Sequence, residues 1–485
     1  MSEISYTQED LTHWIYNCKD IIYTLEIAEK LQSIISTKPE KFQLFHKFQQ
    51  EKLAPALVKI MNRGVRIDLK KKEYLHDQLT KIVKDGEIKL AYLLDEPFNP
   101  RSTPQMRAVF KDLLGIKLIK DKKSKTESCA SPYMFQYREQ YPEYKALITL
   151  ILEYRSLGVF LKTFIDAKVD EDNRMRTSYN LAGTKTGRLS SRKNAFGSGA
   201  NLANLPSKGK IKLKYALGEL DSNEVIDEDL EEISSTIPDD EEGITELPNC
   251  KELFISDENY VFWNCDLSGA DAQVVAWDIE CEWLMNFFKD PPMKLYQYVA
   301  SHYLQKEIET TDKWYKIFKQ YVHGTHYGML EAKAALNAGI DIKLAKELRK
   351  WYFKLCPEIP EWHKKIEDKC KKKGYVENIF GRQMWFLNKD CPTWLNQAIA
   401  SIPQSTIADV TNRGLVNIVE NEMNPTSRID VLLQVHDALA GQYHVSNKLA
   451  KEKIINHMLI ELPYSTPLII PVDYSESLIS YGDCK

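Results

Sequence analysis

Two short apolar segments, far apart in the chain, each end at a single aspartate. The first runs Tyr260-Val-Phe-Trp-Asn-Cys-Asp266 and the second runs Val431-Leu-Leu-Gln-Val-His436-Asp437. Their β-branched and aromatic residues predict strands, so each aspartate is expected at a strand end. The second segment turns into a further apolar run, Ala438-Leu-Ala-Gly-Gln-Tyr443, so a hairpin can hold Asp437 opposite a neighbouring strand end. An aspartate after one strand is usually a cap or turn residue, and it is the pairing of the two that points to chemistry.

Between these segments, three side chains follow one another at four-residue steps: Lys319, His323 and Tyr327. Four residues of an α-helix advance about 400°, so these side chains drift by only roughly 40° per step and share one face. Two aspartates can hold paired magnesium ions, and a helix lysine can meet a triphosphate. The pattern therefore indicates a phosphoryl-transfer site. A solvated lysine beside packed aromatic rings is the alternative interpretation of this face.

The distribution of charge bears on the partners of the chain. The formal net charge of the 485 residues is −4, but thirteen acidic residues and no Lys or Arg lie between Tyr215 and Cys250. Removing those thirteen negative charges leaves +9 for the rest, which suits a polyanionic partner. The acidic segment is predicted to be an exposed or disordered insertion. An acidic brake on nucleic-acid access is the alternative.

No apolar run reaches membrane-spanning length, and the first residues lack the basic and apolar regions of a signal peptide. We therefore expect a cytoplasmic protein without a membrane partner. The nine cysteines are scattered and include no Cys-x-x-Cys spacing, so neither a disulfide framework nor a zinc ribbon is indicated.

Helical periodicity prevails in the N-terminal half and between the two aspartate segments. Helices are predicted over residues 51–68, running into a turn at Asn62-Arg63-Gly64, over 70–94 and 141–167, and over most of 283–420. An ordered loop is predicted over 177–206. Strands are predicted over 260–266, 429–435, 438–443 and 467–473. The predicted fold class is α+β, with strands gathered around the two aspartates.

Several sequence blocks occur in a fixed order along the chain. They are Thr186-Gly-Arg-Leu-Ser-Ser191 with Asn201-Leu-Ala-Asn-Leu-Pro206, Asp266-Leu-Ser-Gly-Ala-Asp271, the stretch from Lys319 to Gly328, Gly374-Tyr-Val-Glu-Asn-Ile-Phe-Gly-Arg382, Gln404-Ser-Thr-Ile-Ala-Asp409 and Gln434-Val-His-Asp437. In order and spacing they resemble the family A DNA polymerases, the group of bacterial DNA polymerase I and the phage replicative enzymes. The second block resembles motif A of that family, the third motif B and the last motif C.

The resemblance implies a right-hand polymerase with an antiparallel palm sheet and mainly helical thumb and fingers. It implies five parts. Residues 1–50 form a helical segment resembling the end of a 3′–5′ exonuclease domain, and residues 51–176 form the thumb and adjoining palm helices. Residues 177–290 belong to the palm and carry a DNA-contact loop, motif A and the acidic insertion at about 208–250, residues 291–394 form the fingers with motif B, and residues 395–485 form the part of the palm with motif C.

The resemblance also implies roles for individual residues. The implied catalytic residues are Asp266, Asp437 and Lys319, and two magnesium ions, for which manganese can substitute, would be held by Asp266, Asp437 and the backbone carbonyl of Leu267. The implied nucleotide contacts are Lys316, Lys319, His323, Tyr327 and Asp271. The implied DNA contacts are Arg188, Asn201, Asn204, Gln404 and His436.

The chain departs from the family pattern at several of these positions. Asp271 stands where the family usually has Glu, which helps to exclude the ribose 2′-hydroxyl. Tyr315 stands where an Arg is usual, so Lys316 is the nearby candidate for the missing charge. His323 replaces an aromatic ring, and Ala438 replaces a Glu that usually follows the motif C aspartate. That second acid cannot be essential if this protein is active.

The N-terminal segment contains Tyr16 and Asp20, which resemble the Tyr-x-x-x-Asp motif on the last helix of a proofreading exonuclease domain. A chance Tyr and Asp at helical spacing is an equal alternative. The upstream carboxylate motifs of such a nuclease do not fit before residue 14, so the chain alone is expected not to proofread. Either the segment is an evolutionary remnant of that domain or a separate exonuclease polypeptide supplies the rest of it, and a processivity factor is a further candidate partner.

The resemblance implies template-directed addition of dNMP to a primer 3′-hydroxyl by two-metal phosphoryl transfer. The expected partners are primer-template DNA and dNTPs, in a bacterial or phage-infected cell. One alternative is a single-subunit RNA polymerase or a sugar-relaxed polymerase, which Asp271 suggests. Another is a catalytically inactive primer-template binding protein, against which the presence of Asp266, Lys319 and Asp437 argues.

Overall fold

The structure is a computed structural model. It describes residues 7–121, 125–194, 196–205, 212–214, 244–246, 249–338, 340–389 and 393–484. Most of the predicted acidic insertion lies outside the described residues. Two short antiparallel strands, Lys212–Lys214 and Ile244–Glu246, flank its most acidic part.

Helices account for much of the described chain. The α-helices are α1 Gln8–Ser36, α2 Glu40–Lys47, α3 Ala54–Arg63, α4 Leu69–Leu94, α5 Thr103–Ala108, α6 Ser131–Gln140, α7 Lys145–Phe160, α8 Ala270–Asp278, α9 Glu282–Lys289, α10 Leu295–Leu304, α11 Lys313–His326, α12 Glu331–Ala338, α13 Ile342–Leu355, α14 Glu358–Lys373, α15 Trp394–Asn421 and α16 Ala450–Met458. Short π-helical segments follow α2, α5 and α7 at Phe48–Leu53, Val109–Leu113 and Leu161–Ile165.

The strands are short except around the two aspartates. They are β1 Val65–Ile67, β2 Arg174–Met175, β3 Ser178–Asn180, β4 Ser190–Arg192, β5 Lys212–Lys214, β6 Ile244–Glu246, β7 Phe254–Ile255, β8 Tyr260–Leu267, β9 Tyr375–Glu377, β10 Gln383–Trp385, β11 Ile429–Val435, β12 Ala438–His444, β13 Glu461–Leu462, β14 Leu468–Ile469 and β15 Val472–Ser477.

The central sheet has four antiparallel strands in the order β11-β12-β8-β15. Alternate residues of a strand point to opposite faces, and β8 follows this rule. Trp263 and Cys265 are buried in the larger hydrophobic core, which also contains residues of α15 and α16. Asp266, on the opposite face, is exposed. The α+β class and the antiparallel sheet are therefore confirmed.

A buried ion pair ties the long helix α15 to the β9–β10 hairpin. Arg382 lies with its guanidinium 2.6 Å from the carboxylate of Asp409, which is only 1% exposed. The amide of Asn378 donates a second hydrogen bond to Asp409 over 2.8 Å. Because a buried carboxylate is stable only when it is fully paired, these contacts fix the hairpin on the helix.

The turn predicted at Asn62-Arg63-Gly64 is confirmed, and the helix before it ends there and does not reach residue 68. Helix α3 ends at Arg63 because Gly64 adopts a φ of 60°, a left-handed conformation that glycine tolerates. The next residues form β1, which pairs with β2 and β7 in a three-stranded sheet. Arg63 then joins this sheet to the central one through its ion pair with Asp430, at 2.9 Å.

The other secondary-structure predictions fare differently. The helices over 70–94 and 141–167 and the strands over 260–266, 429–435 and 438–443 are confirmed. The strand predicted over 467–473 is instead split into β14 and β15 around Pro471, which cannot donate a ladder hydrogen bond. The predicted loop over 177–206 contains the β3–β4 hairpin. Among the described helices, none is both long and apolar enough to cross a membrane.

Candidate active site

The central sheet brings the two aspartates of the sequence pattern together. Ala438 at the start of β12 pairs directly with Asp266 on β8, so Asp437 precedes the residue opposite Asp266. His436 and Asp437 form the turn between β11 and β12, and His436 has a φ of 53°. This left-handed conformation is costly for a residue with a Cβ and is typical of functional turns. The turn thus holds Asp437 beside the end of β8.

The pKa of each carboxylate is raised above its ordinary value. The Asp266 side chain is open to solvent on one side and surrounded by protein on the others, and this burial, followed by the charge of Asp437, raises its pKa to about 6. Burial also raises the pKa of Asp437, while the guanidinium of Arg188 opposes that rise. Two carboxylates that resist ionisation side by side form a site that favours a cation.

A cationic side chain already lies at Asp437. The guanidinium of Arg188 donates from Nη2 to both carboxylate oxygens of Asp437, over 3.3 and 3.4 Å. The backbone carbonyl of Arg188 accepts a hydrogen bond of 2.8 Å from the hydroxyl of Thr184, which closes the loop before β4. The buried Nε of Arg188 has no hydrogen-bond partner among the described residues. Arg188 is therefore held by its charge at Asp437 and can exchange this contact for another acceptor.

Helix α11 and the residue that follows it carry the predicted lysine, histidine and tyrosine. Lys319 is exposed, while His323 and Tyr327 are half-buried. The rings of His323 and Tyr327 lie 4.4 Å apart between centroids, inclined by 56°. Burial lowers the pKa of His323, and the positive charge of Lys319 contributes to this shift. His323 is therefore a neutral ring near neutral pH, and the expected shared face is present.

The end of α11 is joined to α8 by a hydrogen bond. The hydroxyl of Tyr327 donates to the carboxylate of Asp271, in the first turn of α8 directly after β8. Burial and the charge of Asp271 raise the pKa of Tyr327 well above its usual value, so the hydroxyl keeps its proton and remains the donor. The contact links the α11 face to the strand end that carries Asp266.

Glycine is required where α11 ends. Gly328 adopts a φ of 73°, and a Cβ there would lie 2.8 Å from Cδ1 of Ile399 on α15. The carbonyl of Gly328 accepts a 3.0 Å hydrogen bond from the amide of Asn396, also on α15. The close approach at this position is therefore to a neighbouring helix, which fixes where Tyr327 lies.

The predicted DNA-contact residues lie in different environments. His436 is exposed in the turn beside Asp437, Asn204 is exposed after the β3–β4 hairpin, and Gln404 is half-buried on α15. Asn201 is half-buried, and its side-chain oxygen accepts a 2.5 Å hydrogen bond from the hydroxyl of Ser191. Asn201 thus helps to hold its loop against β4. Lys316, predicted as a nucleotide contact, is exposed on α11.

Sequence reasoning missed Tyr179, which fixes the strand before the aspartate turn. Its buried hydroxyl accepts a 2.9 Å hydrogen bond from the backbone N–H of Gln434 and donates a 3.2 Å bond to the carbonyl of the same residue. Gln434 lies on β11, two residues before His436. No local pattern could reveal this contact, because Tyr179 and Gln434 are 255 residues apart in sequence.

The donor set suits hard divalent cations. Asp266 and Asp437 offer carboxylate oxygens, the ligand type that magnesium prefers, and a guanidinium lies at Asp437 where positive charge is favoured. Within the described parts of the chain, no three His, Cys, Asp or Glu side chains converge closely enough to hold a metal ion by themselves. Backbone carbonyl, water or substrate oxygens must therefore complete any cation site here.

Comparisons with known proteins agree with this arrangement. A family model described as DNA polymerase family A matches residues 70–478. The thermostable DNA polymerase I of Thermus filiformis is 24% identical over 469 residues, covering 93% of this chain and 50% of that protein. DNA polymerase I of Chloroflexus aurantiacus is 26% identical over 440 residues, covering 88% of this chain and 42% of that protein. The chain thus spans about half the length of the relatives it matches, or less.

One solved structure shows the same fold. The POL domain of Pol1 from M. smegmatis, solved in complex with DNA primer-template and dNTP, matches with a TM-score of 0.69 and 19% identity. The match covers 89% of this chain and 69% of that one. The architecture is that of a right-hand polymerase. Since the family model spans most of its residues, the chain belongs to the family A DNA polymerases.

Proposed function

We propose that this protein is a template-directed DNA polymerase that adds dNMP to the 3′-hydroxyl of a primer. The observation that carries the proposal is the pairing of β8 and β12, which sets Asp437 beside Asp266 at one end of the sheet. The hydrogen bond from Tyr327 to Asp271 then ties the α11 face to that same strand end. Carboxylates beside a helix with an exposed lysine suit transfer of a nucleotidyl group.

Asp266, Asp437 and the backbone carbonyl of Leu267 are the proposed ligands of two divalent cations, magnesium or manganese. When bound there, such cations supply positive charge that stabilises the oxygens of the transferred phosphoryl group. The residues themselves prepare the site. The turn at His436 fixes Asp437, and Arg188 counters its charge before substrates bind. Much of the rate is then expected from positioning and charge stabilisation.

Residues of α11 are proposed to hold the incoming nucleotide. Lys319 is exposed on the helix and would contact the triphosphate, then donate the proton that pyrophosphate requires on leaving. Lys316, one turn earlier and also exposed, would add a second point charge. His323 and Tyr327 would offer their packed rings to the sugar and base.

Asp271 bears on the choice between deoxyribose and ribose. Its side chain is one methylene shorter than the Glu that is usual in the family, but the hydroxyl of Tyr327 holds its carboxylate in place. A carboxylate that is fixed near the 2′ position leaves less room for a hydroxyl than a mobile one, and its contact with Tyr327 leaves it less free to accept a hydrogen bond from that hydroxyl. This contact supports dNTPs as substrates over the sugar-relaxed alternative.

The proposed contacts to primer-template DNA are Arg188, Asn201, Asn204, Gln404 and His436. Polar side chains of these types can probe the minor-groove acceptors that all correct base pairs present alike, so they test pairing without reading sequence. Arg188 would exchange its contact with Asp437 for such an acceptor. Binding of the primer end and exposure of Asp437 would thereby be coupled.

A protein neighbour is proposed at helix α1. None of its residues is buried, and Trp14, Tyr16 and Ile21 are among its exposed large side chains, at 47%, 62% and 69% exposure. A helix with so much exposed apolar surface is expected to be covered. A separate 3′–5′ exonuclease polypeptide or a processivity factor is the proposed partner. Co-purification from the native host would identify which.

Primer extension tests the proposed function. A labelled DNA primer-template is incubated with Mg²⁺ and either dNTPs or NTPs, with Asp437→Ala as the inactive variant. Glu461→Gln, an exposed carboxylate on β13, serves as the matched control. Extension with dNTPs that is lost in Asp437→Ala and kept in Glu461→Gln supports the proposal. Binding of the primer-template without extension would favour the inactive binding protein, and equal use of NTPs would favour the sugar-relaxed enzyme.

A further inference from the structure

Asp266 has a paired neighbour on each side in the sheet. Ala438 on β12 is its partner on one side, and Asp473 on β15 is its partner on the other. Residues directly opposite one another in antiparallel strands lie on the same face, with Cβ atoms about 4.5–5.5 Å apart. The three residues therefore form one row across the face that carries Asp266, with a methyl group at one end and a carboxylate at the other.

The position of Asp473 leaves its carboxylate open to that face. The side chain is exposed, and no hydrogen bond or ion pair among the described residues involves it. The strand is in register over its whole contact with β8, from the pair Val472 and Leu267 to the pair Ser477 and Phe262. Asp473 is therefore placed by a continuous ladder and not by a loop.

We propose that Asp473 is a positioning residue of the cation site, holding a divalent cation of Asp266 and Asp437 through cation-bound water. The proposal rests on the proposed function. The proposed contact of Asp473 with the cation is indirect, because no three His, Cys, Asp or Glu side chains in the described part of the chain converge closely enough to bind one ion together. Magnesium loses its water reluctantly and usually keeps several water ligands. These water ligands can donate hydrogen bonds to an adjacent carboxylate.

The row also supplies a negative charge that Ala438 does not provide. Asp437 lies on the β12 side of Asp266, and Asp473 lies on the β15 side. Negative charge thus flanks Asp266 on both sides although Ala438 contributes none. A carboxylate introduced at position 438 would enter the same row from the other end, which gives a direct test of whether the row matters.

The test measures cation affinity without turnover. Mn²⁺ is titrated by electron paramagnetic resonance into the protein bound to a primer-template with a dideoxy 3′ end and the next dNTP. The variants are Asp473→Asn, Asp473→Ser, the double variant Asp473→Asn with Ala438→Glu, and the control Glu461→Gln. Loss of an outer carboxylate typically weakens metal affinity 10- to 100-fold. We expect about a 10-fold loss in both single variants, recovery to within about 3-fold in the double variant, and no change in the control.

The outcomes separate this inference from the function on which it rests. Wild-type protein that neither binds Mn²⁺ nor extends a primer would refute the proposed function itself. Wild-type affinity in Asp473→Asn, in a protein that extends primers, would refute only the role of Asp473. A loss that Ala438→Glu fails to restore would also refute it, because the side chain would then act through the structure of β15. Should Asp473→Asn fail to fold, Asp473→Ser decides by the same criteria.

Discussion

Replacement of Asp266 by Asn should make the metal-free protein more stable while removing its activity. The carboxylate of Asp266 has a folded-state pKa of about 6 against an ordinary value of 3.8. The folded protein therefore disfavours the ionised form, chiefly because of burial and then because of Asp437. An amide has nearly the same shape and no charge, so the substitution relieves this conflict without creating a cavity.

The size of the gain follows from the pKa difference. The shift is about 2 pKa units, and each unit corresponds to about 1.4 kcal/mol, which gives a ceiling of about 3 kcal/mol in the free energy of unfolding. The side chain is open to solvent, so screening reduces the retained effect to about 1 kcal/mol. Below about pH 4, Asp266 is protonated in both the folded and the unfolded state, so its charge does not destabilise the fold. The destabilisation grows between about pH 4 and 6 and is complete above about pH 6, where Asp266 is ionised in both states.

Urea unfolding in EDTA, followed by tryptophan fluorescence, measures this effect. At pH 8 the Asp266→Asn protein should be about 1 kcal/mol more stable than the wild type, and at pH 4.5 most of that gain should be gone. Glu461→Gln controls for the loss of a surface charge, and primer extension should fall at least about 100-fold in Asp266→Asn alone. A variant no more stable than wild type at pH 8, or one with an equal gain at both pH values, would show that the folded protein does not disfavour the ionised form of Asp266.

Other substitutions test the neighbouring contacts. Arg188→Gln removes the guanidinium at Asp437, so Mn²⁺ affinity of the DNA-free protein should rise a few-fold while primer-template affinity falls; equal or weaker Mn²⁺ binding in a titration would contradict this. Tyr327→Phe removes the hydrogen bond to Asp271 and should lower the ratio of kcat/KM for dATP over ATP by about 10-fold, whereas an unchanged ratio would separate the contact from sugar choice. Tyr179→Phe leaves backbone groups of β11 unpaired and should lower the free energy of unfolding by about 1–3 kcal/mol in urea titrations; a loss under about 0.5 kcal/mol would mean that the strand finds other partners.

Much of the fold could be predicted because its signals are local. Helices α4 and α7 follow the 3.6-residue period of their buried side chains, and β8, β11 and β12 are marked by apolar β-branched and aromatic residues. The strand predicted over 467–473 was wrong because a single residue overrides the surrounding pattern. Pro471 divides that strand, whereas Gly64 ends α3 at the turn that the sequence already marks.

The candidate site was partly predictable for the same reason. The sequence places Asp266 and Asp437 at strand ends and aligns Lys319, His323 and Tyr327 on one face, and the structure has both features. It gives no sign that Arg188 contacts Asp437, 249 residues further along the chain. Such a contact depends on where a loop lies after the whole palm has assembled, and no short-range period encodes it.

By itself, the sequence determined the order of the motifs, the periods of the helices and strands, and the chemical groups available to the site. The tertiary structure decided which strands pair and in what register. A shift of one residue between β8 and β15 would move Asp473 to the opposite face, since side chains alternate along a strand. Register is set by the combined packing of both faces of the sheet against two cores, so only the folded chain brings Ala438, Asp266 and Asp473 into one row.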